Sequence, residues 1–203
     1  MLPIFKMARP RANNYEEKRQ LILDKAASLF AQQGFAGTSI SSIAQFCGAS
    51  KSLLYHYYQS KEALLFDMLY SHCSLLVRAA DDAIDIDAKA EEQLKHLIRS
   101  LLNIYMGSRD KHVVLLNDLH CLPHDQQEQV RDLERRVVQV FKDLVGKLKP
   151  ELSQQARTTL AMHLMGAINW TYTWFKPGGP ITAQEFADLS TALFLNGLVS
   201  VRS

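Results

Sequence analysis

The chain has 203 residues, 47% of them hydrophobic and 22% charged, an ordinary soluble composition with enough length for one or two small domains and a proper core. No apolar run reaches the roughly 18 residues of a bilayer span, and the N-terminus MLPIFKMARPR lacks the apolar segment of a signal peptide, so no membrane partner is expected and the cytoplasm is the expected location. The net charge of +2 is unevenly placed: residues 1–61 hold eight Lys or Arg against three Asp or Glu, which makes that segment +5 and the remainder −3. A basic head on a mildly acidic body is the footprint of a nucleic-acid reader with a separate sensing or assembly part.

Met7 is an alternative start, with residues 1–6 as an upstream extension. Residues 1–14 read as a flexible basic arm, in which Lys6, Arg9 and Arg11 can follow a DNA groove. The first helix is expected from about 15 to 33, with Ile22, Ala26, Leu29 and Phe30 as its buried stripe and Gly34 as its stop. Ile40, Ile43, Ala44 and Cys47 then recur at helical spacing behind the cap residue Ser39. Gly48 follows where a positive φ opens a sharp turn. A second short helix over about 50–57 buries Leu54. Its outward residues Lys51, Ser52, Tyr55 and His56 are hydrogen-bond donors and none is acidic, which suits a major groove and its phosphate rims. Ser39, Ser41, Ser50, Tyr57 and Lys61 complete the expected DNA-binding set. Lys61 stands in the first turn of the next helix, where free N–H groups also attract phosphate.

That fourth helix runs on through Leu64, Leu65, Met68, Leu69 and Leu76 and joins head to body. The acidic stretch at 81–87 is the expected break. Further helices are expected over about 90–106, 113–119, 124–149, 153–175 and 183–201. The loop at 176–180 is rich in Pro and Gly, and Thr182 with Glu185 forms a capping box. The last helix has two apolar faces, one with Phe186 and Leu193 and one with Phe194 and Leu198. These four residues are the expected dimer interface, since only one face can serve the chain's own core. The fold expected is all-α with about nine helices: a three-helix helix-turn-helix head over residues 1–59 and a helical bundle over 60–203.

Catalytic patterns are absent: the seven histidines form no HExxH pair, and there is no glycine-rich phosphate loop and no GxSxG elbow. Cys47, Cys73 and Cys121 are odd in number and far apart, as reduced, mostly buried thiols would be. No enzyme, no metal and no resident cofactor are expected. A second signal is the segment 166–179, where Trp170 and Trp174 stand four apart, Asn169 sits beside the first and Lys176 beyond the second. Flat apolar groups with a cation nearby suit an acyl chain, an adenine ring or a phosphate.

Gly34-Phe35, Thr38-Ser39, Ile43-Ala44, Gly48-Ala49-Ser50-Lys51, Leu54-Tyr55, Tyr57-Tyr58 and Ser60-Lys61-Glu62-Ala63-Leu64 resemble the head of the tetracycline-repressor (TetR) family. The C-terminal half, with Leu116-Asn117-Asp118-Leu119, Leu133-Glu134-Arg135-Arg136-Val137 and the tryptophan segment, looks like the subgroup that controls catabolism of fatty, aromatic or steroid acids in response to coenzyme A thioesters. The resemblance implies a homodimeric repressor of a catabolic operon that binds double-stranded operator DNA and leaves it when a small-molecule effector binds. An acyl-CoA is the implied effector, with phenylacetyl-CoA favoured. Asn117, Asn169, Trp170 and Trp174 are then the pocket candidates, and Arg135, Arg136 and Lys176 the phosphate partners. The rival readings are a multidrug-efflux repressor for hydrophobic or cationic drugs, and a small-molecule-binding module or enzyme that ignores DNA.

Overall fold

The computed structural model describes residues 11–176 and 178–201. Among these there are nine helices and no strand. They are α1 Arg11–Gly37, α2 Ile40–Phe46, α3 Lys51–Tyr57, α4 Lys61–Asp85, α5 Ala90–Gly107, α6 Arg109–Asp118, α7 His124–Leu148, α8 Gln154–Asn169 and α9 Ala183–Ser200. Single turns at Leu119–Cys121 and Thr171–Trp174 lie between them. Residues 1–10 of the expected basic arm, including Lys6 and Arg9, lie outside the described residues. The helix starts at Arg11 and not near Tyr15, so residues 11–14 extend α1. At its other end Gly34 takes φ 73° and ψ 161° with no atom near the place of a Cβ, so backbone conformation and not crowding demands glycine there.

The caps follow the local sequence. Ser39, Ser50, Ser60, Ser153 and Thr182 each accept a hydrogen bond from the third backbone N–H of the helix that follows. Ser39 with Ser42 and Thr182 with Glu185 close full capping boxes. At the far end of α9, the Lys149 ammonium donates to the carbonyls of Leu198, Val199 and Val201 at 2.8, 3.2 and 2.5 Å, satisfying orphan acceptors of the last turn.

Two apolar cores share the molecule. One packs α1 (Ile22, Ala26, Phe30), α2 (Ile43, Ala44) and Leu54 of α3 against Leu64 to Cys73 of α4, and it reaches Val114 and Leu115 of α6 and Val130 of α7. The other runs from Leu76 along α4 through α5, the rest of α7, α8 and α9. Packing therefore changes over inside α4, near Cys73. Residues 61–85 are the one described helix long and apolar enough to cross a bilayer by length and composition, yet nine of them are buried in these two cores.

Two helix boundaries depart from expectation. The helix α4 continues through Asp81, Asp82 and Asp85 because Ala80 and Ala83 stay in the core while Asp81 reaches out to Arg136 at 3.2 Å. The break comes after Asp85, where the buried Gln93 amide donates to the carbonyls of Ile84 and Ile86 at 2.9 and 3.1 Å. The expected single helix over 153–175 instead stops at Asn169 and resumes for one turn. Thr171 and Thr173 hydroxyls take the carbonyls of Ile168 and Trp170 at 2.6 and 2.8 Å, and the Arg109 guanidinium donates to the Tyr172 carbonyl at 3.0 and 3.2 Å. Side-chain competition for backbone carbonyls loosens a helix at such a point.

Candidate nucleic-acid interface and internal cavity

The short helices α2 and α3 meet around buried Ile43, Ala44 and Leu54. Between them Gly48 takes φ 63°, its N–H donates to Gln45 O at 3.0 Å, and Ala49 N–H to Ala44 O at 2.9 Å. This is a tight helix-turn-helix with the second helix thrust outward. Lys51, Ser52, Tyr55 and His56 are all exposed on it, as is Ser41 on α2. The Lys51 ammonium lies 5.8 Å from the Tyr55 ring centre, so the pair shares one patch. Tyr57 is half-buried and stacks on Tyr15 of α1 at 4.7 Å. The Ser39 and Ser50 hydroxyls are engaged in capping and brace the two helices more than they offer donors.

Lys61 is engaged within the chain. Its ammonium donates to the carbonyls of Phe35 and Thr38 at 2.6 and 2.8 Å and sits 4.1 Å from the centre of the Phe35 ring. It staples the α1–α2 turn to the start of α4, so its charge is already partnered inside the chain. A second brace lies alongside. Asp67 of α4 accepts from the Tyr58 hydroxyl at 2.6 Å and from the Arg19 guanidinium through both carboxylate oxygens, one of them at 3.0 Å. Burial, and then this bond, push the Tyr58 hydroxyl well above the usual phenol range, so it remains a donor. Burial opposes the Arg19 charge, but the Asp67 bond and charge outweigh it and raise the guanidinium further. The reading helix is thus held rigidly on α4.

In the body, α4, α5, α6, α7 and α8 enclose a cavity lined by Cys73, Leu76, Leu133 and Met165 among its apolar walls, with Tyr105, His112, Glu134 and Asn169. It is small, about 30 Å³, room for one or two waters. Its polar groups are poorly matched. His112 Nδ1 lies 3.5 Å from His72 Nε2, and the His112 ring stacks on Tyr105 at 3.8 Å, but His112 Nε2, His72 Nδ1 and Asn169 Oδ1 are buried with no partner. Burial pushes both imidazoles far down, His112 to about 4 and His72 to about 3, the latter helped by the charges of His112 and Lys111, so the pair is neutral at pH 7. Burial likewise raises Glu134, with Arg131 and Arg135 opposing, and raises the Cys73 thiol. Among the described residues no group of three or more His, Cys, Asp or Glu is placed to hold a metal.

The expected pocket set is only partly placed there. Asn169 lines the cavity. Trp170 and Trp174 face outward, 62% and 46% exposed, because the helix break after Asn169 turns them away from the core. Asn117 is exposed and donates to Val113 O at 2.9 Å, while its neighbour Leu116 lines the cavity. Arg135 pairs with Glu128 and Asp132 at 3.1 and 2.6 Å, Arg136 pairs with Asp81, and Lys176 is exposed; none of the three lines the cavity. Composition and spacing missed His72, Tyr105, His112 and Glu134, since lone polar residues on amphipathic helices carry no motif. Their one signal was position on otherwise apolar faces. Of the residues expected at a dimer interface, Phe194 and Leu198 are buried in the chain's own core and Phe186 is half-buried, whereas Leu193 is 66% exposed.

A compact helix-turn-helix that presents a donor face, braced on a long helix that walls an internal cavity, defines a DNA-binding regulator with a sensing body. Comparison with known proteins gives the same class. Residues 22–68 match the model of "Bacterial regulatory proteins, tetR family" and residues 87–198 the model of "Tetracyclin repressor-like, C-terminal domain", so the chain belongs to the tetR family of bacterial regulators. A TetR-family transcriptional regulator from Bordetella parapertussis 12822 superposes with a TM-score of 0.87 and 36% identity, covering 93% of this chain and 100% of that one. The structure of AibR in complex with isovaleryl coenzyme A and operator DNA has a TM-score of 0.76 and 25% identity over 87% of this chain and 97% of that one. The HTH-type transcriptional repressor KstR2 of Mycobacterium tuberculosis is 24% identical over 195 residues, 92% of this chain and 96% of the repressor. Regulators of this family bind DNA and are not enzymes.

Because Lys51 and Tyr55 touch little within the chain, Lys51→Ala and Tyr55→Ala are each expected to weaken binding to the DNA upstream of the chain's own gene by about tenfold while leaving the melting temperature unchanged. Mobility-shift titration with a thermal melt checks this, and unchanged binding in both variants removes α3 from the interface.

Proposed function

We propose that this protein is a homodimeric repressor, active where the chromosome is, that holds an operator and releases it when an acyl-CoA thioester enters the cavity of its body. The observation that carries the reading is that cavity, apolar but with unpaired polar atoms, walled by the same helix α4 that the Arg19–Asp67–Tyr58 brace locks to the reading head. The AibR complex with isovaleryl coenzyme A and operator DNA supports an acyl-CoA effector, and KstR2 supports repression. A target operon for the breakdown of fatty, aromatic or steroid acids follows from such an effector.

The small size of the cavity supplies the switch. No acyl tail fits about 30 Å³, so a ligand binds only a form in which α4, α6 and α8 have moved apart. A ligand shifts an equilibrium by its differential affinity for the two forms, and linkage makes ligand and operator weaken each other by the same factor. The dimer is proposed to form through outward residues Met162 and Trp170 of α8 and its end, and Leu189 and Leu193 of α9, all exposed in the single chain. Gly166 and Gly197 on these helices have nothing within 4 Å of a built Cβ, which leaves room for close helix contact.

Micromolar isovaleryl-, octanoyl- or phenylacetyl-CoA is expected to release the upstream DNA in a mobility-shift assay, whereas free CoA and the free acids are not. A second reading has one observation in its favour: the cavity's single carboxyl group, Glu134, would attract a cationic drug. Release by cationic dyes, with no response to any thioester, would replace the first reading with that of an efflux repressor.

A further inference from the structure

We infer that His112 is the residue that reads the effector's carbonyl, and that it makes the cavity selective for an uncharged thioester over both its free acid and a carbonyl-free analogue. The inference rests on the acyl-thioester reading above. His112 lines the cavity and is 2% exposed, its Nε2 is buried without a partner, and its ring is fixed between Tyr105, stacked at 3.8 Å, and His72, whose Nε2 lies 3.5 Å from His112 Nδ1. We assign the pair the tautomer in which His72 Nε2–H donates to His112 Nδ1; His112 then carries its own proton on Nε2, a neutral donor without a partner on a residue of the cavity wall. The other unmet atom on the wall, Asn169 Oδ1, is an acceptor.

One unmet donor and one unmet acceptor on the same wall match an acyl-pantetheine. The thioester carbonyl needs a donor, and the first amide of the pantetheine arm, three bonds beyond the sulfur, brings an N–H that needs an acceptor. Leaving a buried polar group unpaired is costly, so a ligand that satisfies both gains what the empty protein lacks. A free carboxylate gains no such match. None of the lining residues is Lys or Arg, and Glu134 would repel it. Since His72 belongs to α4, a carbonyl bonded to His112 also acts one hydrogen bond away from the helix that carries the head.

The test compares each of isovaleryl-, octanoyl- and phenylacetyl-CoA with the thioether in which a CH₂ replaces the carbonyl, by calorimetric titration of the intact dimer. The wild-type protein is expected to bind at least one thioester about tenfold or more tightly than its thioether. In His112→Phe, which keeps an aromatic ring beside Tyr105 but has no donor, that ratio is expected to fall to about one. Equal wild-type affinity for thioester and thioether overturns the inference without any variant and leaves the acyl-thioester reading standing. A preference that survives in His112→Phe overturns the assignment to His112. Free acids that bind as tightly as thioesters overturn the exclusion of charge. Binding of no thioester at all removes the reading beneath the inference, and the inference with it.

Discussion

Leu193→Glu is expected to convert the protein into monomers and to lower operator affinity roughly 100-fold or more, because a single head loses the second half-site. Leu193 is 66% exposed on α9, four residues from the exposed Leu189, so a charge there leaves the chain's own core untouched and falls on the proposed interface. Two reading helices must stand about 34–36 Å apart to enter successive major grooves, and only a pairing of bodies holds them so. Phe194→Glu, one residue on, has a different expected result. Phe194 is 9% exposed among Leu97, Leu101 and Leu198 in the body core, and a buried unpaired carboxylate there would unfold the bundle. Sedimentation separates the two cases. Leu193→Glu that remains dimeric at micromolar concentration moves the interface elsewhere.

Asp67→Ala is expected to lower stability by about 2–4 kcal/mol, with the melting temperature falling by roughly 5–15 °C. Asp67 accepts from Tyr58 and Arg19 at once and from Ser71 Oγ at 3.2 Å. Arg19 and Asp67 side chains are each 24% exposed, so water replaces their lost bonds only in part. The variant leaves Arg19 with only the exposed Glu16 and leaves the buried Tyr58 hydroxyl without its acceptor. Operator binding should fall together with stability, since the same three groups fix the angle between the reading head and α4. A thermal melt followed by circular dichroism measures the first effect. A fall of less than about 2 °C would show that the brace carries little of the fold's stability.

The head was legible in the sequence because its determinants are local. Cap residues act on helices that begin one position later, Gly48 supplies a positive φ at a turn of few residues, and Ile43, Ala44 and Leu54 meet across a short chain separation. Helix count and most boundaries followed for the same reason, from apolar periodicity and caps that need no distant partner. The uneven charge and the acid-free face of α3 by themselves point to DNA.

What the local pattern left open was the use made of each side chain, and that depends on partners far along the chain. Lys61 reads as a free cation until Phe35 and Thr38, more than 20 residues earlier, bring their carbonyls to it. Trp170 and Trp174 read as a pocket wall until Thr171, Thr173 and Arg109 break the helix and turn them outward. Periodicity found two apolar faces on α9 but could not say which one the core of α5 claims, because both satisfy the same spacing. His72 and His112 stand 40 residues apart on different helices, and only the packing of α4 against α6 makes them a pair. The amino-acid sequence by itself determined a helical reader of DNA. The tertiary structure alone decided which polar groups were left unpaired in its interior, because pairing is a property of distances in space and not of neighbours in the chain.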